Sequence, residues 1–165
     1  TRPSSATSWV LSGMAVARFT ARDVQRLLKD EGIIRHRGKI ESTINNARQA
    51  LSLIDEKGSL AAYFWSWETP DAERPGTVTR EALLKMTTSA QATAMAKDLK
   101  KRGWSFVGPT TSYAFMQAMG LVNDHARACV IRQDVERARR TFQRLAPNQA
   151  KAGPPRPPAT KFPLA

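Results

Sequence analysis

Residues 100–125 read KKRGWSFVGPTTSYAFMQAMGLVNDH, and several chemistry-bearing groups meet in that run. Lys100, Lys101 and Arg102 put three cations at the end of a predicted helix. Gly103 and Gly108 bracket a turn, and Pro109 suits the first turn of the next helix, where its missing N–H costs nothing. The N–H groups that open a helix have no intrahelical acceptor, and the aligned peptide dipoles add positive potential, so such a terminus suits a phosphate. Thr110 and Thr111 add hydroxyl donors there. Trp104, Phe106 and Val107 are expected to pin the turn to the core. Together these residues describe a helix-hairpin-helix element that holds a DNA backbone without reading its sequence. An ordinary αα-hairpin on a basic surface has the same spacing. The whole chain decides between them: 26 Lys and Arg against 14 Asp and Glu give +12, which favours a polyanionic partner.

His125 and Cys129 follow at a four-residue step, and both are donor types that one zinc ion accepts. Taken alone, the same pair also describes a buried cysteine beside a locally bonded histidine. Arg35, His36, Arg37 and Lys39 are either phosphate contacts or a solvated helix start. Tyr63, Phe64, Trp65 and Trp67 could stack a base, but their close spacing favours core and rim.

Helices must position these groups. Thr20 and Asp23 form a capping pattern, Val24, Leu27 and Leu28 share a face, and Gly32 is the expected stop. A second helix is predicted from about His36 to Lys57, with Ile40, Ile44, Ala47, Leu51 and Ile54 at helical spacing and Gly58 ending it. Ser59 caps a short aromatic helix, and residues 68–80 form a loop marked by Pro70, Pro75 and Gly76. Ser89 caps a helix running to Arg102. The helix from Pro109 carries Tyr113, Phe115, Met116 and Met119 and ends at Gly120. A last basic helix covers QDVERARRTFQRL. After Leu145 come six of the ten prolines, the cations Lys151, Arg156 and Lys161, and no acid. This predicts an all-α domain over 14–145, an irregular segment over 1–13, and a flexible basic Pro-rich tail over 146–165.

At 165 residues the chain is one domain plus a tail. No apolar run is long enough to span a bilayer, and the first residues lack the pattern of a signal peptide. One cysteine excludes an internal disulfide framework and fits a reduced intracellular compartment.

EGIIRHRGKIESTINNAR, the run from Lys100 to His125, and the His125-x-x-x-Cys129 step resemble DNA-3-methyladenine glycosylase I, a bacterial base-excision repair family of the helix-hairpin-helix superfamily. The likeness runs from about Met14 to Cys129. It implies a helical glycosylase-like bundle, monomeric and in the bacterial cytoplasm, that hydrolyses the N-glycosidic bond of 3-methyladenine in alkylated double-stranded DNA. It also implies that His125 and Cys129 are half of a structural zinc site. In the family an N-terminal segment carries the other zinc donors, a Glu that binds the flipped base, and stacking aromatics. Residues 1–13 match none of these, and Trp9 lies too close to GIIRHRGKI to take a pocket role. The resemblance therefore implies an N-terminally truncated glycosylase of doubtful activity. Asp124 stands one position away from where related glycosylases carry a catalytic Asp, and is expected to cap a helix instead. Two other readings remain: a non-catalytic, sequence-independent DNA-binding remnant, and a basic adaptor whose tail, GPPRPPATKFP, adopts polyproline II.

Overall fold

A computed structural model describes residues 13–70, 73 and 79–144, and helices supply all the regular structure among them. In chain order these are α1 (Ala21–Leu27), α2 (Arg37–Lys57), α3 (Leu60–Trp65), α4 (Arg80–Lys85), α5 (Ala90–Lys101), α6 (Pro109–Ala118) and α7 (Arg132–Thr141). A further helical stretch covers 13–17, so the irregular start predicted over 1–13 gives way to helix at Gly13. Trp9, Leu145, the basic tail and most of the loop after Pro70 lie outside the described residues.

Local side chains set the helix starts. The Asp23 carboxylate accepts from both the backbone N–H and the hydroxyl of Thr20, each at 2.9 Å. The hydroxyls of Ser59, Thr79 and Ser89 accept from Ala62, Ala82 and Ala92 N–H at 3.0, 3.2 and 3.1 Å. Each satisfies one of the donors that the first helical turn leaves open.

The main core joins Leu53 of α2, Tyr63 of α3, Ala92, Met95 and Leu99 of α5, Tyr113 and Met116 of α6, and Leu121. A second, smaller cluster gathers Val24, Ile40 and Ile44, with Val16, Phe19, Leu27 and Leu28 against it. The 21 residues of α2 extend roughly 30 Å at 1.5 Å per residue, so this helix serves both clusters, Ile40 and Ile44 in one and Leu53 in the other. Arg48 ties its middle to the chain before α1, donating to Ala17 O at 2.9 Å and Phe19 O at 3.0 Å.

Several expectations change. α1 ends at Leu27, short of Gly32, whose N–H instead bonds Asp30 Oδ1 at 2.9 Å. Leu53, rather than Leu51 or Ile54, is the fully buried residue late in α2. α4 has no buried residue, and so no apolar period announced it. No helix among the described residues is long and apolar enough to cross a membrane.

A candidate nucleic-acid interface at the α5–α6 hairpin

α5 and α6 pack on each other through Met95, Leu99, Tyr113 and Met116, which leaves the turn between them at the surface. Gly103 makes the turn possible. Its φ is +84°, in the left-handed region, and a Cβ there would come within 3.3 Å of Gln49 Nε2. Trp104 and Val107 pack against the core as expected. Phe106 does not: it is 60% exposed, at the outer edge of the turn, with φ 57°. A left-handed Phe costs on the order of 1–3 kcal/mol and persists only where neighbours over-determine it.

Two asparagines of α2 supply that constraint. Asn46 accepts from Ser105 N–H at 2.9 Å and donates to Ser105 C=O at 2.9 Å, holding both polar groups of one residue. Asn45 donates to Gly103 C=O at 2.8 Å. These residues escaped the sequence analysis. Their signal was a pair of amide side chains interrupting the apolar stripe of α2.

The start of α6 is open. Gly108 is its N-cap without a side-chain cap, Pro109 carries no N–H, and Ser112 N–H is already bonded to Gly108 O at 2.9 Å. The Thr110 and Thr111 N–H groups are left at an exposed terminus beside their own hydroxyls. A Cβ at Gly108 would meet nothing within 4 Å, so the protein itself leaves this spot clear. Lys100 and Lys101, in the last turn of α5, are exposed and make no ion pair among the described residues. Backbone donors and hydroxyls on one side of the turn, and two exposed lysines on the other, are an arrangement that suits a phosphate.

Arg102 must be corrected. Its guanidinium bonds Asp98 Oδ2 at 2.6 Å and Glu56 Oε2 at 2.5 Å and lies 5.4 Å over the Tyr63 ring. Tyr63 OH also donates to Asp98 Oδ2, at 2.7 Å. The hydrogen bonds from Arg102, then Lys57, hold the Glu56 carboxyl down to about 2. Burial alone would raise Asp98, but the Tyr63 hydroxyl and Arg102 outweigh it and keep its carboxyl below the ordinary range. Arg102 therefore fastens α5 to α2 and α3 and is not a free cation for phosphate.

The second basic motif reaches the same turn. His36 is the N-cap of α2, its Nδ1 accepting from Lys39 N–H at 3.2 Å, and its ring stands edge-on to Phe106 at 6.5 Å. Arg35, Arg37 and Ile34 are exposed beside it. The aromatic run resolves as core and rim: Tyr63 is buried, Phe64 and Trp67 pack on the core, and Trp65 stacks on Phe142 at 4.6 Å.

Past α6, Asp124 is neither a cap nor free for chemistry. It accepts from Tyr113 OH at 2.8 Å and Gln117 Nε2 at 2.5 Å, and burial together with this bond pushes the Tyr113 hydroxyl upward. Asn123 is buried, and its Oδ1 lies 2.8 Å from His125 Nδ1. That contact presents Nε2 as the free ring nitrogen, the orientation a ligating imidazole takes. Cys129 is half-buried with no disulfide partner. Beyond His125 and Cys129 the donor set does not close. Among the described residues no three His, Cys, Asp or Glu side chains come together to hold a metal, and the chain's other imidazole, His36, caps α2.

Residues 11–133 match the methyladenine glycosylase family model. The chain is 44% identical over 115 residues to DNA-3-methyladenine glycosylase 1 of Escherichia coli K12, covering 69% of this chain and 60% of that protein. It is 36% identical over 122 residues to DNA-3-methyladenine glycosylase of Haemophilus influenzae, with the same two shares. A crystal structure of 3-methyladenine DNA glycosylase I superposes with a TM-score of 0.62 at 44% identity, over 72% of this chain and 64% of that one. The Staphylococcus aureus enzyme, in a study of 3-methyladenine recognition, superposes with a TM-score of 0.63 at 32% identity, over 72% and 62%. The chain thus spans about 60% of the length of these sequence relatives. With a helical fold, an open hairpin and a family match over residues 11–133, the chain belongs to the methyladenine glycosylase family.

Proposed function

We propose that this chain acts on alkylated double-stranded DNA as a DNA-3-methyladenine glycosylase, a monomer of the bacterial cytoplasm that hydrolyses the bond between the damaged base and its sugar. The observation that carries the reading is the open start of α6 beside Lys100 and Lys101, in a chain of this family. Methylation at N3 leaves the base cationic and a good leaving group. The work left to the protein is to hold the backbone, take the nucleotide out of the stack and admit water to the sugar. The hairpin supplies the first task. Asn45 and Asn46 keep its turn rigid, so little ordering is spent when a phosphate arrives.

The test is release of 3-methyladenine from methylated duplex DNA, by the chain alone and by the chain joined to the N-terminal segment of a longer relative. Release above the buffer rate in either form supports the reading. No release in either, with duplex binding intact, favours sequence-independent DNA binding without chemistry. What favours that second reading is the distribution of parts: the phosphate-holding groups lie within the described residues, while no base-binding carboxylate is assigned among them.

His125 and Cys129 are inferred to be two donors of a structural zinc site, supported by donor type and by Asn123 behind the imidazole. Two donors hold zinc weakly, so elemental analysis of the purified chain is expected to give well under one zinc per molecule. One tightly held zinc would refute that expectation and require further donors.

A further inference from the structure

A cleft of about 480 Å³ opens along α7, lined by Arg127, Arg132, Gln133, Glu136, Arg137 and Arg140. Residues 134–141, most of α7, lie beyond the stretch matched to the family. The spacing 132, 136, 140 and 133, 137 is that of one helical face, and the loop carrying Arg127 supplies the opposite wall. A flank of that face fastens α7 in place. Arg139 is buried, bonds Glu68 Oε1 at 2.5 Å and also donates to Gly120 C=O, while Phe142 stacks on Trp65. These bonds fix the helix that carries the arginines.

Its charge is poorly compensated. Four guanidinium groups face one carboxylate, Glu136, which already accepts from Asn123 Nδ2 at 2.8 Å. Arg132 donates to the uncharged carbonyls of Asn123 and His125. Arg137 pairs only with Asp134, on the exposed surface. Arg127 and Arg140 form no ion pair among the described residues. Gathering like charges costs free energy that an entering anion offsets, and the guanidinium fork matches phosphate oxygens. Arg132 and Arg140 lie eight residues apart, about 12 Å along the helix. One small anion cannot reach both ends, whereas a chain of phosphates can.

We propose that this arginine cleft is a second nucleic-acid backbone site, separate from the hairpin, taking consecutive phosphates of a DNA strand. The choice of DNA as the polymer rests on the function proposed above; the cleft itself does not. The ten residues of α6, about 15 Å of helix, separate Gly108 from the Gly120 end to which α7 is bonded. The two cation sets therefore meet different phosphates and should act additively.

The experiment is fluorescence anisotropy of labelled, unmodified duplex DNA across a salt series, with circular dichroism checking each variant. Arg127→Gln, Arg137→Gln and Arg140→Gln are combined, and Arg132 is spared because it also holds the Asn123 and His125 carbonyls. At roughly 0.9 per phosphate contact, the log–log salt slope should fall by about 1.8 from Arg127 and Arg140, and by up to about 2.7 where Arg137 exchanges Asp134 for a phosphate, and a triple Lys variant at the same positions should keep most of the slope. Adding Lys100→Ala and Lys101→Ala should lower it by about a further 1.8. A wild-type slope in the Gln triple, with the hairpin variant lowered, overturns the cleft alone. A wild-type slope in both overturns the hairpin reading as well. Should the triple lose helix, Arg140→Gln by itself reads the same contact with an expected loss of about 0.9, and no loss overturns the proposal.

Discussion

α5 and α6 enter the core with Met95, Leu99, Tyr113 and Met116, while the one buried residue of α7 is Arg139. The turn of the hairpin is held by apolar packing and by neutral amide bonds from Asn45 and Asn46, and the end of α5 also by the pairs of Arg102 with Asp98 and Glu56. The C-terminal helix is held by charge: Arg139 and Arg144 both reach Glu68, at 2.5 and 2.6 Å, and Arg144 lies 5.2 Å over Trp65. Apolar burial and neutral hydrogen bonds are nearly indifferent to salt, and a buried pair such as Arg139–Glu68 is screened far less than an exposed one. Lys100 and Lys101 take no part in ion pairs among the described residues, so they are not needed to hold the hairpin together. α7 turns Arg139 inward as a fastener and leaves Arg137 and Arg140 exposed.

The largest effect should come from cutting the charged fastening. Glu68→Ala removes the carboxylate that Arg139 meets at 5% exposure. Breaking such a buried pair costs about 3 kcal/mol, because the remaining charge stays desolvated. Urea unfolding should show that loss, and hydrogen exchange should place the faster amides in α7 ahead of α5 and α6. An unchanged midpoint would mean that Phe142 on Trp65 is the true anchor.

Cutting the neutral fastening should cost less and be felt at the other site. Asn46→Ala strips partners from Ser105 N–H and C=O together. We expect about 2 kcal/mol, the low end for two partly buried backbone groups. Duplex affinity should drop as well, since Phe106 can then leave its left-handed conformation and the turn loosens. Full affinity with lowered stability would separate the clamp from DNA binding.

Lys100→Ala with Lys101→Ala should leave stability within about 0.5 kcal/mol, as surface changes do, and lower the salt slope by about 1.8. Gly108→Val is its steric counterpart. The site has room for the side chain in the free protein, so weaker DNA binding with an unchanged melting temperature would locate the backbone's approach at that residue. Equal binding would move the phosphate elsewhere.

The smallest effect is electrostatic. Glu56 is depressed in the folded chain to about 2 by Arg102 and Lys57, below its ordinary 4.5. A depressed carboxylate stabilises the fold above its unfolded value, and that contribution fades as pH falls from about 4.5 toward 2. Melting temperatures of the wild type and Glu56→Gln should therefore differ most near neutrality and converge near pH 2. A gap that stayed constant down to pH 2 would show that the carboxylate is not what stabilises there.

Much of this was legible in the chain because it is local. Ser59, Ser89 and Thr20 declare helix starts through bonds spanning three residues. Gly103, Gly108 and Pro109 announce the hairpin through backbone requirements each residue carries by itself. What stayed hidden depends on partners remote in sequence. Arg102 looked like a third free cation until Glu56, 46 residues earlier, closed on it. Phe106 looked like a core residue, and only the clamp from Asn46 explains why it faces outward. Asp124 looked like a cap until Tyr113 and Gln117 of α6 were brought to it. In α7 the sequence offers Arg132, Arg137, Arg139 and Arg140 as equals. Which one is buried was decided by Glu68 and the Gly120 carbonyl, because a guanidinium leaves water only where fixed acceptors replace the solvent it loses.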